Sequence, residues 1–247
     1  MDKELEIELQ NLRNANAFKD KLFAIIGHDL KGPLNNVKGL VMLLQDDAIP
    51  ADERKQILSM LLSSVDNSVQ FLDNLLEWAA QKYYAGVLKM NTKDEALSMF
   101  DLANQAVSFV KHHAVKKGIK LVNEIPLNLS VIADLQQMLF ILRNLISNAI
   151  KFSYEKGEVI VEAVLNDKKK VEVSVIDHGT GMSTDRINSL FQIDRRSSQE
   201  GTNNEKGAGL GLILCKEFVE NNGGEIWVES DGKNGTTIKF TVNAGNI

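Results

Sequence analysis

A single cysteine, Cys215, leaves the 247-residue chain unable to form an intrachain disulfide. It sits in an apolar run with helical spacing, the setting of a buried structural thiol, and a reducing compartment is expected. No apolar stretch approaches the ~20 residues that cross a bilayer, and no signal peptide opens the sequence. Membrane contact from this chain itself is therefore not expected. Positive charge does not predominate: 28 Lys and Arg face 33 Asp and Glu, for a net charge of −5. Nucleic-acid binding needs clustered cations, so no nucleic-acid partner is expected. The chain also lacks a GxxxxGK[ST] phosphate loop and the HRD and DFG segments of protein kinases. Its apolar content of 44% is enough for a real core.

What is present divides in two. Residues 3–46 read as one long helix, with a seam through Leu5, Leu9, Leu12, Phe23, Ile26, Leu30, Leu34, Val37, Val41 and Leu44. Spacings of three and four dominate, as a coiled-coil seam requires. Asn16 and Lys19 interrupt it, and a phase through Ala15, Phe18 and Leu22 fits better there. Two successive spacings of four, from Ile26 to Leu34, form a stutter that locally unwinds a supercoil. After a loop containing Pro50, a second helix runs from Asp52 to about Tyr84, with its seam at Leu58, Leu62, Val65, Val69, Leu72, Leu76 and Ala79. One helical hairpin cannot bury both seams against itself, whereas two copies in a four-helix bundle can. Residues 1–84 thus read as a homodimerisation module.

Beyond Gly86 the pattern changes. Helices are predicted over 101–117, 135–152 and 210–221, and short strands over 119–125, 129–133, 159–165, 171–176, 225–229 and 236–242. A polar segment fills 183–206, and Gly223-Gly224 is an apt helix stop. Residues 85–247 therefore read as an α/β sandwich with helices on one sheet face.

Four short segments carry chemistry. In the first, His28 lies two residues from seam positions on either side, so it points outward. Asp29 can take a proton from one imidazole nitrogen and leave the other as a nucleophile. Pro33 removes a helical N–H and Gly32 loosens the same turn, so the helix can bend beside the histidine. In the second, Asn144, Asn148 and Lys151 fall at i, i+4 and i+7 on one helix face, while Leu135, Leu142, Leu145 and Ala149 face a core. The Asn148 oxygen suits Mg²⁺, a hard cation that bridges phosphates, and Lys151 adds a compact charge. In the third, Asp177 ends a strand before Gly179 and Gly181. Its carboxylate can read an exocyclic amino group, and the glycines let the backbone approach a ligand. In the fourth, Gly207, Gly209 and Gly211 precede a helix, an arrangement suited to phosphate.

Each segment alone is a weak pattern. In this order they resemble the H, N, G1 and G2 boxes of bacterial sensor histidine kinases, over nearly the whole chain from about Phe18 to Val242. The resemblance implies an all-α hairpin forming a dimeric four-helix bundle, followed by an α/β sandwich that binds ATP and Mg²⁺. It implies that ATP phosphorylates His28, with Asp29 as general base. It makes Asn148 the magnesium ligand and Asp177 the adenine reader, with Phe152 packed near the base where tyrosine is common. Asn144, Lys151, Gly179 and Gly181 complete the nucleotide set, with Lys206, Gly207, Gly209, Leu210, Gly211 and Leu212 at the phosphate end. The 182–206 stretch resembles the ATP lid, with Leu190-Phe191 as its F box; Gly235-Thr236-Thr237 fits a structural closing turn. The expected partners are a second copy and a response-regulator receiver domain, in the bacterial cytoplasm. The abrupt helical start at Met1 fits the cytoplasmic part of a larger receptor. One position departs from the family: Gly32 occupies the place, four residues after the histidine, where relatives that dephosphorylate their regulator carry Thr or Asn. Two other classes share part of this pattern. One is an ATPase or clamp like gyrase and heat-shock chaperones, against which the His28-Asp29-Pro33 helix argues. The other is a scaffold with a degenerate pocket, against which the full set of pocket residues argues.

Overall fold

The computed structural model describes residues 31–32, 34–45, 49–62, 64–65, 68–69, 72, 95–191, 201–203 and 211–245. The chain divides into two compact units, Met1–Ala80 and Gln81–Ile247.

In the first unit, helix α1 covers 34–44 and helix α2 covers 51–62. Asn36 Nδ2 donates to Ser64 Oγ at 2.8 Å, which ties the two helical stretches together. Leu40 and Ile57 are buried, whereas the seam residues Leu34 and Leu62 are 57% and 62% exposed. Of the expected seam in α1, Leu34 and Val41 thus face outward while Val37 and Leu44 are half-buried, and the buried Leu40 and Ile57 lie off the seam. A helix in a pair hides only the stripe that faces its neighbour. The remainder of the seam, with Val41, Leu58, Val65 and Val69, forms apolar surface of the kind that marks an interaction face.

The second unit is an α/β sandwich. Its strands are β1 (Glu95–Ser98), β2 (Lys120–Asn123), β3 (Ser130–Ala133), β4 (Glu158–Leu165), β5 (Lys170–Asp177), β6 (Ile226–Glu229) and β7 (Thr236–Asn243). Its helices are α3 (Met99–Lys117), α4 (Leu135–Phe152), α5 (Thr184–Ser189) and α6 (Gly211–Asn221). Five strands form a sheet in the order β2-β4-β5-β7-β6, and β1 pairs with β3 apart from it. Only the β2–β4 pair is parallel within the larger sheet. The inner sheet face is a row of buried β-branched and aromatic residues, including Val159, Val161, Val171, Val173 and Phe240. Helices α3, α4 and α6 cover that face.

Helix α4 is the keel of the site, and its sequence fixes both ends. The Asp134 side chain accepts the Gln137 N–H at 2.9 Å, satisfying a donor that the first turn leaves orphaned. At the other end, the buried Lys117 Nζ donates to the carbonyls of Ile150 and Lys151, at 2.9 and 2.7 Å. A cation there complements the helix dipole. Met138, Ile141, Leu142, Leu145 and Ile146 are fully buried between.

Several sequence expectations change. Leu135, placed on the core face, is 38% exposed because it opens the helix. Apart from those expectations, Phe109 of α3 is 65% exposed. The Arg143 guanidinium lies 5.9 Å from the Phe109 ring centroid, which gives the exposed ring a cationic neighbour. Strand β1 has no counterpart among the expected strands, the 119–125 strand is shorter, and α5 stands inside the segment read as polar loop.

Candidate active site

A cleft of about 450 Å³, part of it open to solvent, lies beside α4. Leu145, Ala149, Val175, Met182, Leu190 and Ile238 give it apolar walls; Asn148, Asp177, Arg186 and Thr236 bring polar groups. That mixture, mostly apolar with a few convergent polar atoms, is the usual make-up of a small-molecule site.

Asp177 reaches the cleft because β5 ends there. It is buried, and its Oδ1 accepts the backbone N–H of Gly179 at 2.9 Å and of Thr236 at 3.2 Å. Both bonds fall on one oxygen. Oδ2 has no hydrogen-bond partner among the described residues. Burial pushes the Asp177 pKa up to about 6, and the two backbone donors only partly oppose this. A buried carboxylate oxygen with an open lone pair is poised for a donor such as an amino group.

Gly179 is required by the approach of two chain segments. Any Cβ at 179 would collide with the carbonyl oxygen of Phe152, which accepts the Thr180 N–H at 3.2 Å. Gly181 adopts φ 68°, in the left-handed region that glycine tolerates. The G1 turn is thereby pinned to the end of α4.

The asparagine stripe resolves into two roles. Asn148 lines the cleft, is half-buried and has no hydrogen-bond partner among the described residues. Asn144 does not line it. Its Nδ2 donates to Phe140 O at 3.0 Å, and its Oδ1 would lie 2.5 Å from a Cβ on Gly211. Asn144 therefore seats the start of α6 against α4, and Gly211 is what permits that approach. Leu212 then lines the cleft.

The Phe152 ring carries two cations. Lys151 Nζ lies 4.9 Å and Arg186 Cζ 5.2 Å from its centroid. Both are within cation–π range. Past the ring, Thr202 binds back on the same helix end: its Oγ1 donates to Ser153 O at 2.7 Å and its N–H to Lys151 O at 3.2 Å.

The structure thus brings Asn148, Phe152, Asp177, Gly181 and Leu212 to one cleft, with Gly179, Asn144 and Gly211 shaping its walls from behind. Lys151 stands at its edge on Phe152. His28, Asp29, Lys206, Gly207, Gly209 and Leu210 lie outside the described residues. Sequence reasoning missed Arg186, a charged residue in an apparently bland polar stretch. It also missed that Thr236, read as a closing turn, holds Asp177 through its backbone; only the 177-to-236 strand pairing reveals this. Cys215 is fully buried, and burial raises its thiol pKa far above the ordinary value, which fits a structural role.

Residues 133–246 match the family described as histidine kinase-, DNA gyrase B- and HSP90-like ATPase. Residues 18–82 match the His Kinase A phospho-acceptor domain. The fold and cleft therefore define an ATP-binding domain of the kinase, gyrase and chaperone type. With its phosphoacceptor domain ahead of it, the chain belongs to the sensor histidine kinases, as their catalytic core. It is 30% identical to the adaptive-response sensory kinase SasA of Synechocystis over 243 residues, 96% of this chain and 62% of SasA. The chain thus spans about three fifths of that relative's length. Among solved structures it resembles full-length ShkA in complex with AMPPNP, at 25% identity and TM-score 0.60, over 91% of this chain and 46% of ShkA. Histidine kinase ThkA in complex with response regulator TrrA shares the fold, at 19% identity and TM-score 0.65, over 90% of this chain and 60% of that one.

Proposed function

We propose that Mg-ATP bound in the cleft phosphorylates His28 and that the phosphoryl group then passes to an aspartate of a response-regulator receiver domain. The carrying observation is a coincidence on one chain. A phosphoacceptor-domain match spans His28, and a separate cleft offers Asp177 Oδ2 as an open acceptor beside the Phe152 ring. Residues 1–84 serve as dimerisation and phosphotransfer module, and 85–247 as catalytic domain. The outward apolar seam of α1 and α2 supports assembly with a second copy. The neighbour solved with its response regulator supports the receiver-domain partner, and the one solved with AMPPNP supports ATP. The reaction is placed in the bacterial cytoplasm, where ATP and a receiver domain are both at hand. No helix among the described residues is long and apolar enough to cross a membrane.

The reaction needs little covalent chemistry from the protein. One imidazole nitrogen of His28 attacks the γ-phosphorus, the bond to the β-phosphate oxygen breaks, and ADP leaves. Asp29 takes the proton from the other nitrogen. The rest is positioning and charge stabilisation. Asp177 orients the base, Phe152 packs near it, and the glycines that precede α6 in sequence, up to Gly211, are assigned to the phosphates. Asn148 is the residue that would hold a magnesium ion, and the ion would supply positive charge to offset that of the phosphates. Among the described residues no cluster of three His, Cys, Asp or Glu exists to cage a metal. A cation held by phosphates, waters and the one open amide oxygen of Asn148 fits that donor set, because Mg²⁺ keeps most of its waters. Asn148→Ala is expected to remove Mg²⁺-dependent autophosphorylation while leaving Mg²⁺-free binding of adenosine unchanged; titration of both ligands checks this. The decisive test of the whole reading is transfer of label from γ-labelled ATP to the chain, in an acid-labile, base-stable form.

Gly32 bears on the reverse activity. With no side-chain donor or acceptor, it cannot orient a water for hydrolysis of the phosphorylated regulator. A strong kinase with little phosphatase activity is expected. Among the described residues a Cβ at Gly32 meets nothing within 4 Å. Gly32→Thr is therefore expected to raise phosphate loss from phosphorylated regulator in the presence of ADP. Rapid loss with the parent chain, surviving in His28→Ala, would contradict the assignment.

A further inference from the structure

Ser230 follows β6 and opens the turn that leads into β7. It is half-buried, and its hydroxyl is fully used. Oγ donates to Gly235 O at 2.6 Å and accepts the N–H groups of Met182 at 2.9 Å and Gly232 at 3.3 Å. A serine hydroxyl has one donor and two acceptor sites, so no capacity is left over. The Gly232 bond is local, of the kind serine makes in many turns. The Met182 bond is different, because it crosses to the G1 turn forty-eight positions earlier. The two turns touch there backbone to backbone. A Cβ on Gly181 would collide with the backbone of Gly232 and Lys233, and one on Gly235 with the Asp177 carbonyl oxygen.

The segments that Ser230 joins are the two that supply the donors of Asp177. Gly179, three residues before Met182, and Thr236, next to Gly235, both give their N–H to Oδ1. Those two bonds decide which carboxylate oxygen is left open. Met182 and Thr236 also line the cleft themselves. We propose that Ser230 is a positioning residue for base specificity: its hydroxyl clamps the G1 turn to the β6–β7 turn and so fixes the orientation in which Asp177 meets a purine. This rests on, and deepens, the nucleotide reading of the cleft. Asp231 organises the β6–β7 turn independently, accepting the N–H groups of Lys233 and Asn234 at 2.8 Å each. The turn therefore keeps its own shape without Ser230, and what the hydroxyl adds is the link to the G1 turn. With that link cut, Gly179 and Thr236 are free to shift against each other, and the carboxylate loses its fixed setting. A fixed open oxygen accepts from the amino group of adenine and repels the carbonyl that inosine carries in its place. A loosened carboxylate does both less well.

The test titrates adenosine and inosine into the parent chain and into Ser230→Ala, Ser230→Cys and Ser230→Thr, with unfolding midpoints measured alongside. Ser230→Ala is expected to lower the ratio of adenosine to inosine affinity on the order of tenfold, mainly through weaker adenosine binding. Ser230→Thr keeps the hydroxyl and is expected to keep the ratio within about twofold of the parent. Ser230→Cys, close to serine in size but a weak donor and acceptor, is expected to fall between them, and it carries the test if Ser230→Ala does not fold. A lower unfolding midpoint with an unchanged ratio in the folded variant would reduce Ser230 to a brace of the fold and overturn the proposal. Equal losses for adenosine and inosine would overturn it too, since they would report damage to the cleft wall rather than a turned carboxylate. Either result leaves the nucleotide reading intact. A parent chain that binds neither nucleoside, or does not prefer adenosine, would remove that reading of Asp177 and this inference with it.

Discussion

Incubated with γ-labelled ATP and Mg²⁺, the His28→Gln chain is expected to carry no acid-labile, base-stable label, while binding ATP as the parent does. The effect should be total rather than graded. A phosphoramidate needs an imidazole nitrogen with a free lone pair, and glutamine offers only an amide whose nitrogen is not nucleophilic. Binding should survive because His28 and the cleft belong to different compact units, Met1–Ala80 and Gln81–Ile247. That separation makes the experiment clean. Losing label and nucleotide affinity together would mean the substitution had damaged the fold, which unfolding curves would report. Label persisting in His28→Gln would move the acceptor to another side chain. Stability of the label to acid would point to a serine, threonine or tyrosine ester. ATP hydrolysis without label in the parent would favour the clamp-type ATPase reading.

Periodicity and caps make much of the catalytic unit legible in the amino-acid sequence. Helix α4 runs from Leu135 to Phe152 as its pattern indicates, because a capping aspartate, an apolar stripe and a local end signal all agree. The β4–β5 hairpin is legible for the same reason. Its turn is written in Asn166, whose side chain accepts the N–H groups of Lys168 and Lys170 at 3.0 Å each. Strand β1 is not legible. Glu95-Ala96-Leu97-Ser98 has no clean alternation, and its extended form is set by pairing with Ser130–Ala133, more than thirty residues away. Long-range partners define such a strand, not local propensity. The site divides along the same line. Asn148 and Asp177 declare themselves by residue type and neighbours. Asn144 carries the same local signal as Asn148, yet it seats Gly211 instead of lining the cleft. Helical spacing cannot separate two residues one turn apart when a neighbouring helix covers only one of them. Arg186 is invisible in sequence because its meaning comes from the Phe152 ring, thirty-four positions earlier in the chain.

Asp177→Asn is expected to weaken ATP binding roughly ten- to hundred-fold, corresponding to about 1.5–3 kcal/mol for a lost charged hydrogen bond. The geometry makes this near-isosteric change more specific than a simple loss of charge. Gly179 N–H and Thr236 N–H both donate to Oδ1, so an asparagine must keep its oxygen there. Its NH₂ group then takes the place of Oδ2, and a donor faces the amino group that the carboxylate accepted. A purine with a carbonyl at that position suits the new donor. The ratio of ATP to inosine triphosphate affinity should therefore fall in Asp177→Asn, more than either affinity alone indicates. An unchanged ratio would sink the adenine-reader role. The pH profile gives a second readout. The fold holds the Asp177 proton up to about 6, against an ordinary value of 3.8. The neutral acid is the form that burial favours, so its contribution to stability is full below about 4 and is lost as pH rises through 6. Nucleotide binding runs the other way, because the amino group needs the ionised carboxylate. ATP affinity of the parent should be level above pH about 6 and fall below it, with proton release on binding near pH 6. In Asp177→Asn both the fall and the proton release should disappear, and calorimetry in buffers of different ionisation enthalpy measures them directly.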